Sequence, residues 1–175
     1  MSFRNAPLAV THSCDKSAIF TSEIRAAIDA LIAKYPTDWK QSAVMPTLTL
    51  VQDANDGWLT TELMNAVAAY LDMPEVSVYE VATFYGMYDL EPQGKHKVCI
   101  CNSVSCLLRG SDTLLHHVES KYNVHPNEIT ADGRFTLKEV ECLGACCGAP
   151  AVMIDKQYYE NLSPGSLDKL IDGLE

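Results

Sequence analysis

The chain has 175 residues, 47% hydrophobic and 21% charged, a globular composition that excludes wholesale disorder. Thirteen Lys+Arg against 23 Asp+Glu give a formal net charge of -10. A nucleic-acid binder needs a basic face to displace counterions, and this balance argues against one. No apolar run approaches the roughly 20 residues that cross a bilayer.

Residues 1–20 read as a polar leader in which Arg4 and Lys16 are the only cations. It lacks an apolar segment ahead of a small-residue cleavage site, so no secretory signal is expected, and it is too poor in Arg for a transit peptide. Residues 21–91 read as a small helical bundle. After Thr21 and Ser22, the residues Ile24, Ala27, Ile28, Leu31 and Ile32 keep the spacing of one helix face, with Glu23 in the first turn and Pro36 beyond the end. A second helix is expected over about 42–53, with Pro46 tolerated because it lies near the start. A third opens near Thr60 and buries Leu63, Ala66, Val67, Tyr70 and Leu71. A fourth is expected from Ser77, where Glu80 completes a capping-box spacing, through Val81 and Phe84 to about Tyr88. Short amphipathic helices with brief connections imply a bundle.

The breaker cluster Glu91-Pro92-Gln93-Gly94 separates this region from a second one, over residues 95–175. Residues 1–94 hold 5 basic and 12 acidic side chains, against 8 and 11 in 95–175. Lys97 to Cys101 is a β-rich run; Ser111 is expected to cap a helix carrying Leu114, Leu115 and Val118. Phe135 to Glu141 follows the turn pair Asp132-Gly133 as a strand, and 151–155 and 157–160 read as a pair of short strands. Ser163-Pro164 starts a last helix with Leu167, Leu170, Ile171 and Leu174 on one face. Strand, helix, three strands and helix is the order of a thioredoxin-like α/β domain. The expected architecture is therefore α+β in two parts, a small helical bundle followed by that domain.

Seven cysteines in a chain without a signal peptide point to thiol or metal chemistry in a reducing compartment. Cys14 stands alone in the leader and reads as an idle thiol, while the other six fall after residue 95. Cys101 and Cys106 have four residues between them, Cys142 and Cys146 have three, and 35 residues separate the pairs. Each pair follows an expected strand, so the two loops could face each other at one end of the sheet. Four thiolates from two loops would suit a soft metal centre, and two irons bridged by two sulfides need two thiolates each. Gly144 and Gly148 would let backbone N–H groups approach the sulfurs. A structural zinc site is the rival, although zinc knuckles more often use C-x2-C. A dithiol reductase would want C-x-x-C opening a helix, and Rieske ligation would want two paired histidines; His96, His116, His117 and His125 lack that spacing. Cys99, two residues before Cys101 on a strand, reads as a core residue, and Cys147 as a neighbour able to substitute for Cys146.

Taken together, Cys101-Asn-Ser-Val-Ser-Cys106 and Cys142-Leu-Gly-Ala-Cys146 resemble the thioredoxin-like 2Fe–2S ferredoxin component of respiratory complex I. This family comprises a small subunit of the bacterial NADH–quinone oxidoreductase and its mitochondrial counterpart. The likeness extends to Val78-Tyr79-Glu80-Val81-Ala82-Thr83-Phe84-Tyr85, to Asp132-Gly133-Arg134-Phe135 and to Gly148-Ala149-Pro150, covering roughly residues 20–175. Cys147, directly after the fourth matching cysteine, departs from the pattern. The resemblance implies one 2Fe–2S cluster held by Cys101, Cys106, Cys142 and Cys146, with no catalytic residue in the chain itself. It also implies docking on a flavoprotein subunit that binds FMN and NADH, and one-electron exchange with that flavin. The same resemblance implies a cytoplasmic location, peripheral to the inner membrane through the complex, without direct membrane insertion. The equivalent subunit of a soluble NAD-dependent hydrogenase or formate dehydrogenase is the alternative within this chemistry, and a zinc-stabilised interaction module the alternative outside it. No G-x-G-x-x-G follows a strand, so the chain shows no dinucleotide site of its own. Val81, Phe84, Tyr85 and Tyr88 are expected mostly to pack the bundle, with part of that aromatic surface available to a partner.

Overall fold

The computed structural model describes residues 19–174; the leader's Cys14 lies outside the described residues. They divide into two compact units, one ending at Pro92 and the other beginning at Gln93.

In the first unit the helices are α1 (Ser22–Ile32), α2 (Val44–Ala54), α3 (Thr61–Tyr70) and α4 (Glu75–Phe84), with a 3-10 stretch over Thr37–Ala43. Thr21 and Thr60 cap α1 and α3, their hydroxyls accepting from Ile24 N at 3.3 Å and Leu63 N at 3.1 Å. Ile28, Leu48, Val51, Leu59, Val67 and Leu71 form a fully buried centre, and each such side chain contributes about 1.5–3 kcal/mol by leaving water. The structure differs from the expected fourth helix at both ends and from the expected buried face of α3. The fourth helix starts at Glu75 behind Pro74, without a side-chain cap, because Pro supplies the fixed φ of a helix entrance two residues before Ser77. It also ends at Phe84, four residues short of Tyr88. In α3 the buried positions are Met64, Ala66, Val67 and Ala68, with Leu63 and Tyr70 only partly buried.

The second unit carries a four-stranded sheet in the order β2-β1-β3-β4. Its strands are β1 (His96–Cys101), β2 (Phe135–Val140), β3 (Val152–Ile154) and β4 (Gln157–Tyr159). β1 and β2 are parallel, from His96↔Phe135 to Cys101↔Val140, whereas β1–β3 and β3–β4 are antiparallel. The parallel pair needs a crossover, which is supplied by α5 (Val104–Leu108) and α6 (Ser111–Tyr122). With α7 (Pro164–Asp172), α6 covers one face of the sheet. Leu114, Val118, Leu167 and Ile171 meet Val98, Ile100, Phe135, Leu137 and Val152 there. A capping box of Ser163 and Ser166 opens α7. Ser111 proves to be the first residue of α6 rather than its cap: Gly110, at φ 92, precedes the helix, and the buried Ser111 hydroxyl has no hydrogen-bond partner. The helical bundle followed by an α/β domain is the architecture expected from the sequence. Among the described residues no helix is long and apolar enough to cross a membrane.

Candidate metal centre

Parallel pairing decides where the cysteines go. Cys101 is the last residue of β1, and Cys142 lies two residues past the end of β2, so both loops leave the same end of neighbouring strands. Asn102 fastens them: its N–H donates to Val140 O at 2.9 Å and its side-chain amide to Glu139 Oε1 at 2.8 Å. Cys101 N–H donates to Ala151 O at 3.2 Å, which ties the start of β3 to the same corner. Cys106 sits inside the five-residue helix α5. Cys101, Cys106, Ala149 and Ala151 form a small buried cluster against which Leu143 and Ala145 pack.

The electrostatics of the buried pair are asymmetric. Burial opposes ionisation of Cys101, yet N–H donors of Leu143 and Ser103, with the Cys106 thiol and the Ser103 hydroxyl, bring its pKa below the ordinary thiol value. Burial raises the pKa of Cys106, and the neighbouring Cys101 and Cys146 add to the rise, against an N–H donor from Ala151. The sulfurs of the first loop are thus served by backbone donors from the second loop and from β3's entrance. In the second loop, Gly144 N–H donates to Cys142 Sγ at 3.3 Å from a left-handed backbone of φ 77, a geometry that favours glycine.

The structure joins Cys101 and Cys106, each 2% exposed, and places Cys142 and Cys146 on the adjoining loop as exposed thiols, with Cys147 beside them. Among the described residues, no three or more His, Cys, Asp or Glu side chains stand close enough to form a ready metal cage. Cys99 is apart from the pair, buried in the sheet, and burial pushes its thiol up to about 11. The donor set suits a soft metal, with amide donors already present at the buried sulfurs. Gly144 and Gly148 are expected from sequence to let backbone N–H groups approach the sulfurs; Gly144 N–H itself reaches Cys142 Sγ, while Gly148 N–H goes to Ala145 O at 3.1 Å. Neither α5, only five residues long, nor the N–H donors of Leu143 and Ala151 carry a signature in the sequence. His116 is exposed on α6, whereas His117 is half-buried and pairs with Asp168 at 2.9 Å.

The sequence model of the thioredoxin-like 2Fe–2S ferredoxin family matches residues 28–175. The E-type subunit of the NADH-quinone oxidoreductase of Rickettsia typhi is 45% identical over 144 residues, covering 82% of this chain and 85% of that protein. The mitochondrial NADH dehydrogenase (ubiquinone) flavoprotein 2 of Dictyostelium discoideum is 38% identical over 156 residues, 89% of this chain and 63% of that protein. Among solved structures, an NAD+-reducing NiFe-hydrogenase in the H2-reduced state superposes with a TM-score of 0.62 at 21% identity. That likeness is one of fold, over 73% of this chain and 22% of the hydrogenase chain. The extent of the family match, joined to the paired thiols at the end of a thioredoxin-like sheet, leads to one assignment: the chain belongs to the thioredoxin-like 2Fe–2S ferredoxin family.

Proposed function

We propose that this chain is the electron-transfer subunit of an NADH–quinone oxidoreductase. In this reading it holds one 2Fe–2S cluster through Cys101, Cys106, Cys142 and Cys146. It passes single electrons to and from FMN on a partner flavoprotein subunit, which also binds NADH. The observation that carries the reading is the buried Cys101–Cys106 pair, with N–H donors from Leu143 and Ala151 directed at its sulfurs. Such donors stabilise thiolate and tune a centre bound there. When bound, a 2Fe–2S cluster supplies a one-electron site beside a flavin that receives two electrons as hydride. The chain's own residues hold the sulfurs in place and keep the inner pair away from water. The similarity to the Rickettsia NADH-quinone oxidoreductase protein favours this parent complex over a soluble hydrogenase or formate dehydrogenase. A peripheral position on the cytoplasmic face of the membrane, held through the complex, is part of the same proposal.

A docking face is also available in the first unit. Val81 is partly buried and Tyr88 is 6% exposed, so these two pack the bundle, but Phe84 is 80% exposed beside exposed Tyr85, Met87 and Leu90. The segment 75–94 contains no Lys or Arg. A flavoprotein surface with an apolar centre and basic surroundings would complement it.

The test is an anaerobic preparation of the native protein, assayed for iron, acid-labile sulfide and zinc, with EPR after dithionite. About two irons and two sulfides per chain, the content of one such cluster, and an S = 1/2 signal are expected. So is co-purification with an FMN-bearing subunit. Zinc without sulfide or signal overturns the reading in favour of a structural module. Cys101→Ala and Cys142→Ala are expected to lose the cluster, and Cys99→Ala and Cys14→Ala to keep it. Bleaching by Cys147→Ala but not by Cys146→Ala would refute the ligand assignment.

A further inference from the structure

Gly148 is needed for a reason other than backbone freedom. A Cβ built on it would lie 1.9 Å from Glu160 Oε2, 2.3 Å from Glu160 Cδ and 2.5 Å from Glu160 Cβ. The Glu160 side chain therefore lies flat against the Gly148 backbone, on the 3-10 turn Cys146–Gly148 that begins at a proposed ligand. The contact is fastened at both ends. Asn161 N–H donates to Gly148 O at 2.7 Å, with Asn161 itself left-handed at φ 52. Gly148 N–H donates to Ala145 O at 3.1 Å and Ala149 N–H to Cys146 O at 3.3 Å, which closes the turn. Glu160 follows directly on β4, so the sheet edge delivers the carboxylate to this loop.

We infer that Glu160 is a potential-setting residue: its carboxylate, held against the Cys146 loop, opposes the arrival of an electron at the centre bound by the four thiolates. The inference rests on the proposed ligand role of Cys146. A 2Fe–2S centre already surrounded by four thiolates becomes more negative by one charge on reduction. A fixed anion nearby raises the cost of the reduced form more than that of the oxidised form. Glu160 is exposed, so water and salt attenuate the effect without reversing it. Gly148 serves this arrangement, because any side chain there displaces the carboxylate from the loop.

The experiment is a redox titration of the dithionite-reducible EPR signal in the holoprotein, for wild type, E160Q and E160D. D132N, at the entrance to β2 and away from Cys142, serves as the charge control. E160Q is expected to favour reduction roughly threefold, which at 59 mV per tenfold for one electron is about 28 mV upward. The shift should shrink as ionic strength rises from about 0.05 to 0.5 M. E160D and D132N should stay at the wild-type potential. An unchanged or lowered potential in E160Q, with the signal intact, overturns the inference and leaves the cluster reading standing. Loss of the cluster in E160Q overturns it as well, because Glu160 would then be needed for loading rather than for potential. Absence of any reducible signal in wild type sinks the cluster reading itself, a separate result.

Discussion

Gln52 offers the sharpest test of how the proposed docking face is presented. Its side chain is buried at the end of α2 and grips the chain beyond α4 with both amide atoms. Nε2 donates to Met87 O at 3.1 Å, and Oε1 accepts from Asp89 N at 2.8 Å. Asp89 O in turn accepts from Leu59 N at 2.7 Å, and the Tyr88 hydroxyl donates to Met45 O at 2.9 Å. Gln52→Leu keeps the volume and removes both polar atoms, leaving a carbonyl and an N–H unsatisfied. Each orphan costs about 1–3 kcal/mol, and the added apolar burial offsets part of that, so a net loss of about 2–4 kcal/mol is expected. A unit of about 70 residues at about 0.05–0.15 kcal/mol per residue holds only about 4–10 kcal/mol. The substitution thus removes a large share of its stability. The assay is urea unfolding followed by tryptophan fluorescence. The only tryptophans, Trp39 and Trp58, both lie in the first unit, so the signal reports that unit alone. With a slope of about 1 kcal/mol/M the midpoint should fall by about 2–4 M. A loss below about 0.5 kcal/mol would refute the claim that these two bonds hold the Phe84–Leu90 segment in place.

Further outcomes follow from the same contacts. In the cluster-free chain a small disulfide reagent should leave Cys99 unmodified while it labels the exposed Cys142, Cys146 and Cys147, read by peptide mass spectrometry. Labelling of Cys99 at a comparable rate would contradict its burial. Leu137→Ala, on the edge strand β2 but fully buried under the helices, should cost about 2–5 kcal/mol in the second unit, measured by circular dichroism during denaturation. Thr60→Ala should cost about 1 kcal/mol through loss of the α3 cap. For Asp168, burial works against ionisation, but hydrogen bonds from His117 and Lys121 prevail and hold its carboxyl below the usual carboxylate range. A depressed folded pKa stabilises above the unfolded value of about 4 and is lost as pH falls through the folded one. The stability deficit of Asp168→Asn should therefore be seen near neutral pH and should shrink progressively below about pH 4.

Much of this was legible in the sequence, for identifiable reasons. α1 and α7 announce themselves, because a long 3.6-residue stripe coincides with a capping residue at Thr21 or at Ser163-Pro164. The start of α4 misleads, since Ser77 and Glu80 imitate a cap inside a helix that Pro74 has already begun. α5 is hidden: five residues are too few for periodicity to register. The cysteine spacings reveal which thiols belong to loops, because sequence distance and strand ends are both readable. They cannot reveal that Leu143 and Ala151 supply N–H groups, or that Gly148 answers to Glu160. Both depend on backbone positions set by the register Cys101↔Val140 and by the turn after β4.

That register also orders events in time. Cys101 and Cys106 are near neighbours along the chain and need only one short helix to approach each other. The loop bearing Cys142 reaches them only when β2 has aligned beside β1, a pairing that spans the whole α5–α6 crossover. Closing a parallel pair across so long a connection is slow compared with forming a local turn. Under the proposed ligand assignment, Cys101 and Cys106 come together locally before the second loop joins them, and cluster assembly follows the folding of the sheet.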